Sequence, residues 1–464
     1  MAQMELSQDQ QAALDAVEAG RNVFITGPAG VGKSELVRRI IKMFERKFKP
    51  PYRELSVTAS TGIAAINVGG RTVHSFLGTG IAGSIAELKQ KPPLVVEDLV
   101  DRLTDTRVLI VDEISMLSGD YLDMMNMHLK RITGRKSPFA GIQLIFVGDF
   151  LQLPPVNKGS RKALPMAFES DAWWEAELEP HVLSTTFRQT DPALIDALMR
   201  IRRGEVDEGV LELFNERVGA ELPYPTTLYS HVAPAREHNH RELAKIDAPV
   251  MRPRMAVEPV SDRLPQKRID SFVDMCPVDQ PLELKEGASV LLTVNSPPDY
   301  VNGTRGTIVG TLRNVQIGNE LYKRYGRAAP REFLQQALII ETEAGRTINV
   351  HPYQWCLFNA GGRPMLRVIQ YPVRLAWALT IHKAQGMSLS QLRCDIQRVF
   401  TASQAYVALS RVRSLEGLSM ISELQARHVY INPTVRQFYE WLDDWTPDAG
   451  RFTSPEPDMT NVVW

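Results

Sequence analysis

The sequence predicts an α/β protein with two parallel-sheet lobes and a small β module inserted in the second. Three observations carry that expectation. Short continuous apolar runs alternate with helical segments through the first half, and the same texture resumes at 226–230 and 374–380. Between those two points, residues 284–369 read as short β segments joined by turn chemistry. At 464 residues, moreover, the chain is too long for one ordinary core.

Taken in order, residues 22–26 form an apolar strand that runs into a glycine loop, and residues 35–44 read as an amphipathic helix. Residues 55–58, 108–111 and 144–147 are further strand-length apolar runs, as expected of strands buried on both faces. These place the first lobe at 1–183. The second lobe is expected at 184–283 and 372–445. The all-β insertion takes 284–371, with strands at 289–294, 306–312, 337–341 and 346–350 and turns at Asn302-Gly303 and Ala344-Gly345. Residues 258–279 are punctuated by prolines and belong to no obvious element. The segment 446–464, with Pro447, Pro455 and Pro457, is expected to be a flexible tail.

Composition excludes several classes. With 44% hydrophobic and 23% charged residues the chain is globular, neither fibrous nor disordered. No run of about eighteen apolar residues exists to span a membrane, and the start lacks a basic n-region, an apolar h-region or an Arg-rich transit pattern. A cytoplasmic protein is expected, nucleoid-associated if bacterial. Cys276, Cys356 and Cys394 are far apart, which argues for plain thiols and against zinc or disulfides. The net charge of −1 means that any nucleic-acid surface must be local.

The loop Gly27-Pro28-Ala29-Gly30-Val31-Gly32-Lys33-Ser34 matches GxxxxGK[ST] between a strand and a helix. Glycines let backbone N–H groups close on phosphate oxygens at a helix N-terminus. Lys33 adds a point charge on the β/γ-phosphates, and the Ser34 hydroxyl suits Mg²⁺. At the end of the 108–111 run, Asp112 is the candidate second metal ligand and Glu113 the base for the attacking water. An apolar strand followed by Asp-Glu is common in itself, and gains meaning from the phosphate loop upstream. Gly148-Asp149-Phe150-Leu151-Gln152-Leu153-Pro154-Pro155 ends another strand. Its Gln152 amide suits a γ-phosphate contact, although a strand capped by a rigid turn reads equally well. The basic stretch Lys42, Arg46, Lys47, Lys49 and Arg53 lies on and after the phosphate-loop helix and reads as a solvated face.

Residues 58–76, Thr-Ala-Ser-Thr-Gly-Ile-Ala-Ala-Ile-Asn-Val-Gly-Gly-Arg-Thr-Val-His-Ser-Phe, closely resemble motif Ia of the PIF (petite integration frequency) DNA helicases. These form a 5′→3′ branch of superfamily one. The remaining family motifs follow in order. Residues 6–10 resemble the Q motif, 112–116 motif II, 148–156 motif III and 187–189 the arginine motif that follows. Residues 376–386 resemble motif V and 404–411 motif VI. Gly287, Asn295, Asn302-Gly303 and Gly306 follow the pattern of the family's Src-homology-type barrel. Departures are small: Ala384 stands where serine is frequent, and Val412-Arg413 where Ala-Thr often follows.

The resemblance implies two RecA-like lobes, with ATP and Mg²⁺ as cofactors. It implies a helicase that moves 5′→3′ on single-stranded DNA and opens tailed or forked duplexes, in replication, repair or recombination, with a monomer favoured. Gln10 would read the adenine edge, Gln152 the γ-phosphate, and Arg188 and Arg411 would stabilise transition-state charge from the second lobe. Gln385 and Gly386 would link nucleotide to DNA. Thr61, His74, Phe76, Thr380, His382 and Lys383 would hold DNA by stacking and phosphate contacts. The strand-separating wedge is expected in an insertion near 77–92 or in the β module. The rival readings are a small-molecule P-loop kinase, a binding-only switch, and a RecD-like or phage Dda-like helicase.

Overall fold

The computed structural model describes residues 5–48, 53–79, 97–155, 163–260, 264–294, 296, 299–300, 302–325, 329–358 and 364–453. Most of the expected 77–92 insertion, Val156 of motif III, Asn295, and residues 454–464 of the tail lie outside them. Two compact units emerge: residues 1–220 with 396–464, and residues 221–395. Within the first unit, several residues expected in the second lobe, among them Arg188, Arg202, Tyr406 and Tyr439, pack or hydrogen-bond beside the phosphate loop.

In the first unit six parallel strands form one sheet in the order β3-β2-β4-β5-β1-β6. They are β1 Val23–Thr26, β2 Leu55–Ala59, β3 Arg71–Thr72, β4 Val108–Asp112, β5 Gln143–Val147 and β6 Glu179–Val182. β1 and β4 are buried along their whole length, which is why they read as unbroken apolar runs. Because strand side chains alternate, β1 feeds two cores. Val23 and Ile25 join Leu36, Val37, Ile40 and Phe44 of helix Lys33–Lys47 on one side. Phe24 enters an aromatic cluster on the other, with Phe150, Trp173 and Phe438. Phe438, from helix Pro433–Asp443, stacks on Phe168 with ring centroids 4.0 Å apart.

The second unit carries a parallel trio, β7 Thr226–Tyr229 flanked by β16 Ala378–Thr380 and β17 Leu392–Cys394. Its other strands are antiparallel. β9 Ser289–Leu292, β10 Arg305–Arg313, β11 Gln336–Thr342, β12 Thr347–Val350 and β15 Val373–Leu375 form a five-stranded sheet in the order β12-β11-β10-β9-β15. Its inner face gathers Val290, Leu292, Ile308, Leu338, Ile340, Ile348 and Val373. β8 Ala256–Pro259, β13 Tyr353–Phe358 and β14 Pro364–Gln370 form a third sheet.

Two expectations change here. The apolar run at 374–380 is two strands in two sheets, since β15 pairs antiparallel with β9 while β16 pairs parallel with β7. The insertion is not all-β: helices Val315–Tyr325 and Arg331–Leu334 stand between β10 and β11, packing Tyr325, Leu334 and the partly buried Leu321 together. The three cysteines are free thiols. Among the described residues no helix is long and apolar enough to cross a membrane.

Candidate active site

Thr26 ends β1 fully buried, and the chain turns through the glycine loop into helix Lys33–Lys47. Two of its glycines show why the turn needs them. Gly30, at φ 91°, is backed so closely by Arg188 that a Cβ would lie 2.6 Å from the arginine's own Cβ. Gly32, at φ 80°, would meet the Gln10 amide nitrogen at 2.6 Å. The free N–H groups of the helix's first turn therefore open onto a loop whose outer side is already packed.

Lys33 donates to the carbonyls of Gly27 at 2.6 Å and Pro28 at 2.9 Å. Desolvation lowers its pKa, while the carboxylates of Asp149, Glu113 and Asp112 act in the opposite sense. Ser34 is exposed beside it. At the end of β4, burial and the adjacent Glu113 charge push the Asp112 carboxyl up. Glu113 itself adopts a left-handed backbone, φ 54°, and its N–H donates to Asp112 Oδ1 at 2.9 Å. Such conformations in a non-glycine residue concentrate at functional sites.

Gln10 caps the helix Gln8–Glu18, accepting from the Ser7 N–H at 3.1 Å, and donates to the Val31 carbonyl at 3.0 Å. It is buried against the phosphate loop. Near the same glycine lies the exposed ring of Phe187, whose N–H donates to the Gly30 carbonyl.

Arg188 and Arg411 meet on this loop from the same compact unit. Arg188 Nη1 donates to the Ser410 carbonyl at 2.9 Å. Arg411, 1% exposed, donates through Nε to the Val407 carbonyl at 2.8 Å and through Nη2 to Ser410 Oγ at 2.7 Å. Burial lowers both guanidinium pKa values, and the Arg411 charge lowers that of Arg188 further. Two desolvated cations that repel each other favour an anion between them. Gln189 fastens the segment by donating to the Ser410 and Val412 carbonyls. Tyr406, from helix Gln404–Leu409, accepts from the Ala29 N–H at 2.9 Å.

Gln152 Nε2 donates to Asp149 Oδ2 at 3.2 Å. Asp149 is fully buried and held by Arg202 in a two-pronged pair, Nη2 to Oδ1 at 2.8 Å and Nε to Oδ2 at 3.0 Å. The guanidinium keeps the Asp149 carboxyl below its ordinary pKa despite burial. Sequence reading gave no role to Asp149, Arg202, Tyr406 or Tyr439. Arg202 stands 53 residues from its partner, and no local pattern signals the pairing. Arg202→Leu leaves a buried carboxylate without its counter-charge and is expected to destabilise the protein by about 3–5 kcal/mol. A urea melt reads this loss, and Asp149→Leu in the same chain should restore part of it.

The expected DNA residues divide. Phe76 is fully buried, with the Arg102 guanidinium 5.9 Å from its ring centre, so its ring belongs to the core and is not presented for base stacking. His74 packs on Tyr121 at 4.4 Å, and burial drops its pKa to about 4, so it is neutral at pH 7. Thr61 Oγ1 accepts from the Ala64 N–H of helix Gly62–Asn67. In the second unit Thr380 Oγ1 accepts from the Lys383 N–H at 3.3 Å, and Lys383 Nζ lies 3.6 Å from Asp279. Burial lowers the His382 pKa. Gln385 and Gly386 also lie in the second unit, Gly386 at φ 79°.

Known proteins resemble this chain throughout. The PIF1-like helicase family matches residues 5–208. The ATP-dependent DNA helicase Pif1 of Bdellovibrio bacteriovorus is 34% identical over 95% of this chain and 93% of its own length. The crystal structure of Pif1 helicase from Candida albicans superposes with a TM-score of 0.75 at 34% identity, covering 95% of this chain and all of that one. A Bacteroides Pif1 helicase in complex with ADP-AlF3 and ssDNA gives a TM-score of 0.66 at 27% identity, covering 95% of this chain and 98% of that one. The parallel-sheet architecture is the RecA-like helicase fold. With this identity spread over nearly the whole of both chains, the chain belongs to the PIF1-like helicase family.

Proposed function

We propose that this protein hydrolyses ATP to translocate 5′→3′ along single-stranded DNA and to unwind tailed or forked duplexes. One observation carries the chemistry. A phosphate loop, an acidic pair and two desolvated arginines converge within a single compact unit. Such a set suits a triphosphate undergoing attack by water.

Gln10 and the exposed Phe187 ring flank the loop at Gly32, where they frame the nucleotide's base. Lys33 turns from the loop carbonyls to the β/γ-phosphates. Ser34 and Asp112 would hold Mg²⁺: a hydroxyl and a buried carboxylate with a raised pKa are the hard oxygen donors that a small dication suits. Bound there, the ion would supply charge neutralisation to the phosphate oxygens. Glu113 takes the proton of the attacking water, Gln152 reads the γ-phosphate, and Arg188 and Arg411 stabilise the developing charge.

DNA contacts are assigned to Thr61 and His74 in the first unit and to Thr380, His382 and Lys383 in the second. Neutral imidazoles stack or accept hydrogen bonds, and Lys383 supplies a phosphate contact. Gln385 and Gly386 tie this grip to the nucleotide cycle. The antiparallel sheet of β9 to β12 with β15 supports reading the insertion as the family's small barrel.

Matched duplexes carrying a 5′ or a 3′ single-stranded tail test the function directly. ATP-dependent opening of the 5′-tailed substrate alone is the expected result. Opening of the 3′-tailed one alone overturns the polarity, and opening of neither reduces the protein to a translocase or switch.

A further inference from the structure

Helix Pro433–Asp443 places one side chain where packing alone does not need it. Its hydrophobic anchor is Phe438, stacked on Phe168. The neighbouring Tyr439 directs a buried hydroxyl to the root of the phosphate loop. That hydroxyl donates to Asp149 Oδ1 at 2.9 Å and accepts from the Phe150 N–H at 3.1 Å. It also lies 2.7 Å from Thr26 Oγ1, at the last residue of β1. One proton and two lone pairs are all that a phenol offers, and with Thr26 donating all three are used. The Arg202 guanidinium lies 4.9 Å from the centre of the ring while pairing with Asp149. The same carboxylate holds the Gln152 amide.

We propose that Tyr439 is a positioning residue for ATP hydrolysis, its hydroxyl registering the Asp149–Gln152 turn against the end of β1 that carries the phosphate loop. The inference rests on the reading of Gln152 as the γ-phosphate contact. A tyrosine that only filled space would be replaceable by phenylalanine. A tyrosine that sets the register would not, because its loss frees the turn to shift relative to the loop while nucleotide still binds through Lys33.

The test uses the full chain with Tyr439→Phe, Gln152→Ala and both together. Three quantities are read: the thermal melt, the Kd for a non-hydrolysable ATP analogue, and kcat with single-stranded DNA. Tyr439→Phe should keep Kd within about twofold while kcat falls about tenfold, and the double variant should be no slower than Gln152→Ala by more than about twofold. An unchanged kcat in Tyr439→Phe, or losses that multiply in the double variant, overturns the proposal. If Tyr439→Phe does not fold, Thr26→Val decides: it removes one of the three bonds, and a wild-type kcat there overturns the proposal equally. Wild-type kcat in Gln152→Ala sinks the γ-phosphate reading of that residue, and Tyr439 is then judged on its own kcat and Kd.

Discussion

Lys33→Ala is expected to lower DNA-stimulated ATP hydrolysis by about 10³-fold or more, while binding of a short single strand stays within about twofold. The loop itself should survive the change. Gly30 and Gly32 remain packed against Arg188 and Gln10, and the Ala29 N–H remains fixed on Tyr406. What disappears is the ammonium that donates to the Gly27 and Pro28 carbonyls. Steady-state hydrolysis with and without DNA, beside an anisotropy titration of labelled oligonucleotide, separates the two effects. Survival of DNA-stimulated turnover in this variant would remove the phosphate-site assignment.

Arg411→Lys should be nearly as damaging, with kcat down about 10³-fold. Lysine keeps the charge but loses the planar fork that reaches the Val407 carbonyl and Ser410 Oγ together. Arg188 shares Ser410 as an anchor, so the two arginines should act as one unit. Arg188→Lys in the Arg411→Lys background is then expected to add little, since residues that act together are non-additive. Independent, multiplying losses would mean that the two arginines contribute separately and do not act as one unit.

What the sequence made legible follows from the range of the forces involved. β1, β4 and β5 could be read because burial on both faces leaves an unbroken apolar run, and the phosphate loop because its geometry demands glycines at fixed spacing. The resemblance located Arg188 and Arg411 but did not show that Ser410 joins them. Asp149, Arg202 and Tyr439 stayed hidden because their contacts span 53 and 290 residues and follow no period. Phe76 shows a related limit: an aromatic residue beside a binding motif has the same letter whether its ring faces solvent or, as here, the core. The helix Val315–Tyr325 was missed where flanking turns made the whole stretch read as β.

The phosphate-loop unit is assembled from both ends of the chain, residues 1–220 and 396–464. During synthesis Phe24, Phe150, Phe168 and Trp173 leave the ribosome long before Phe438 arrives to stack on them. The nascent ATPase therefore waits with an uncovered aromatic surface while the entire second unit is being made, a delay in which chaperone capture or aggregation competes with folding. Arg411 and Tyr439 both follow the second unit in the sequence, so the phosphate loop is made well before the side chains that complete its surroundings.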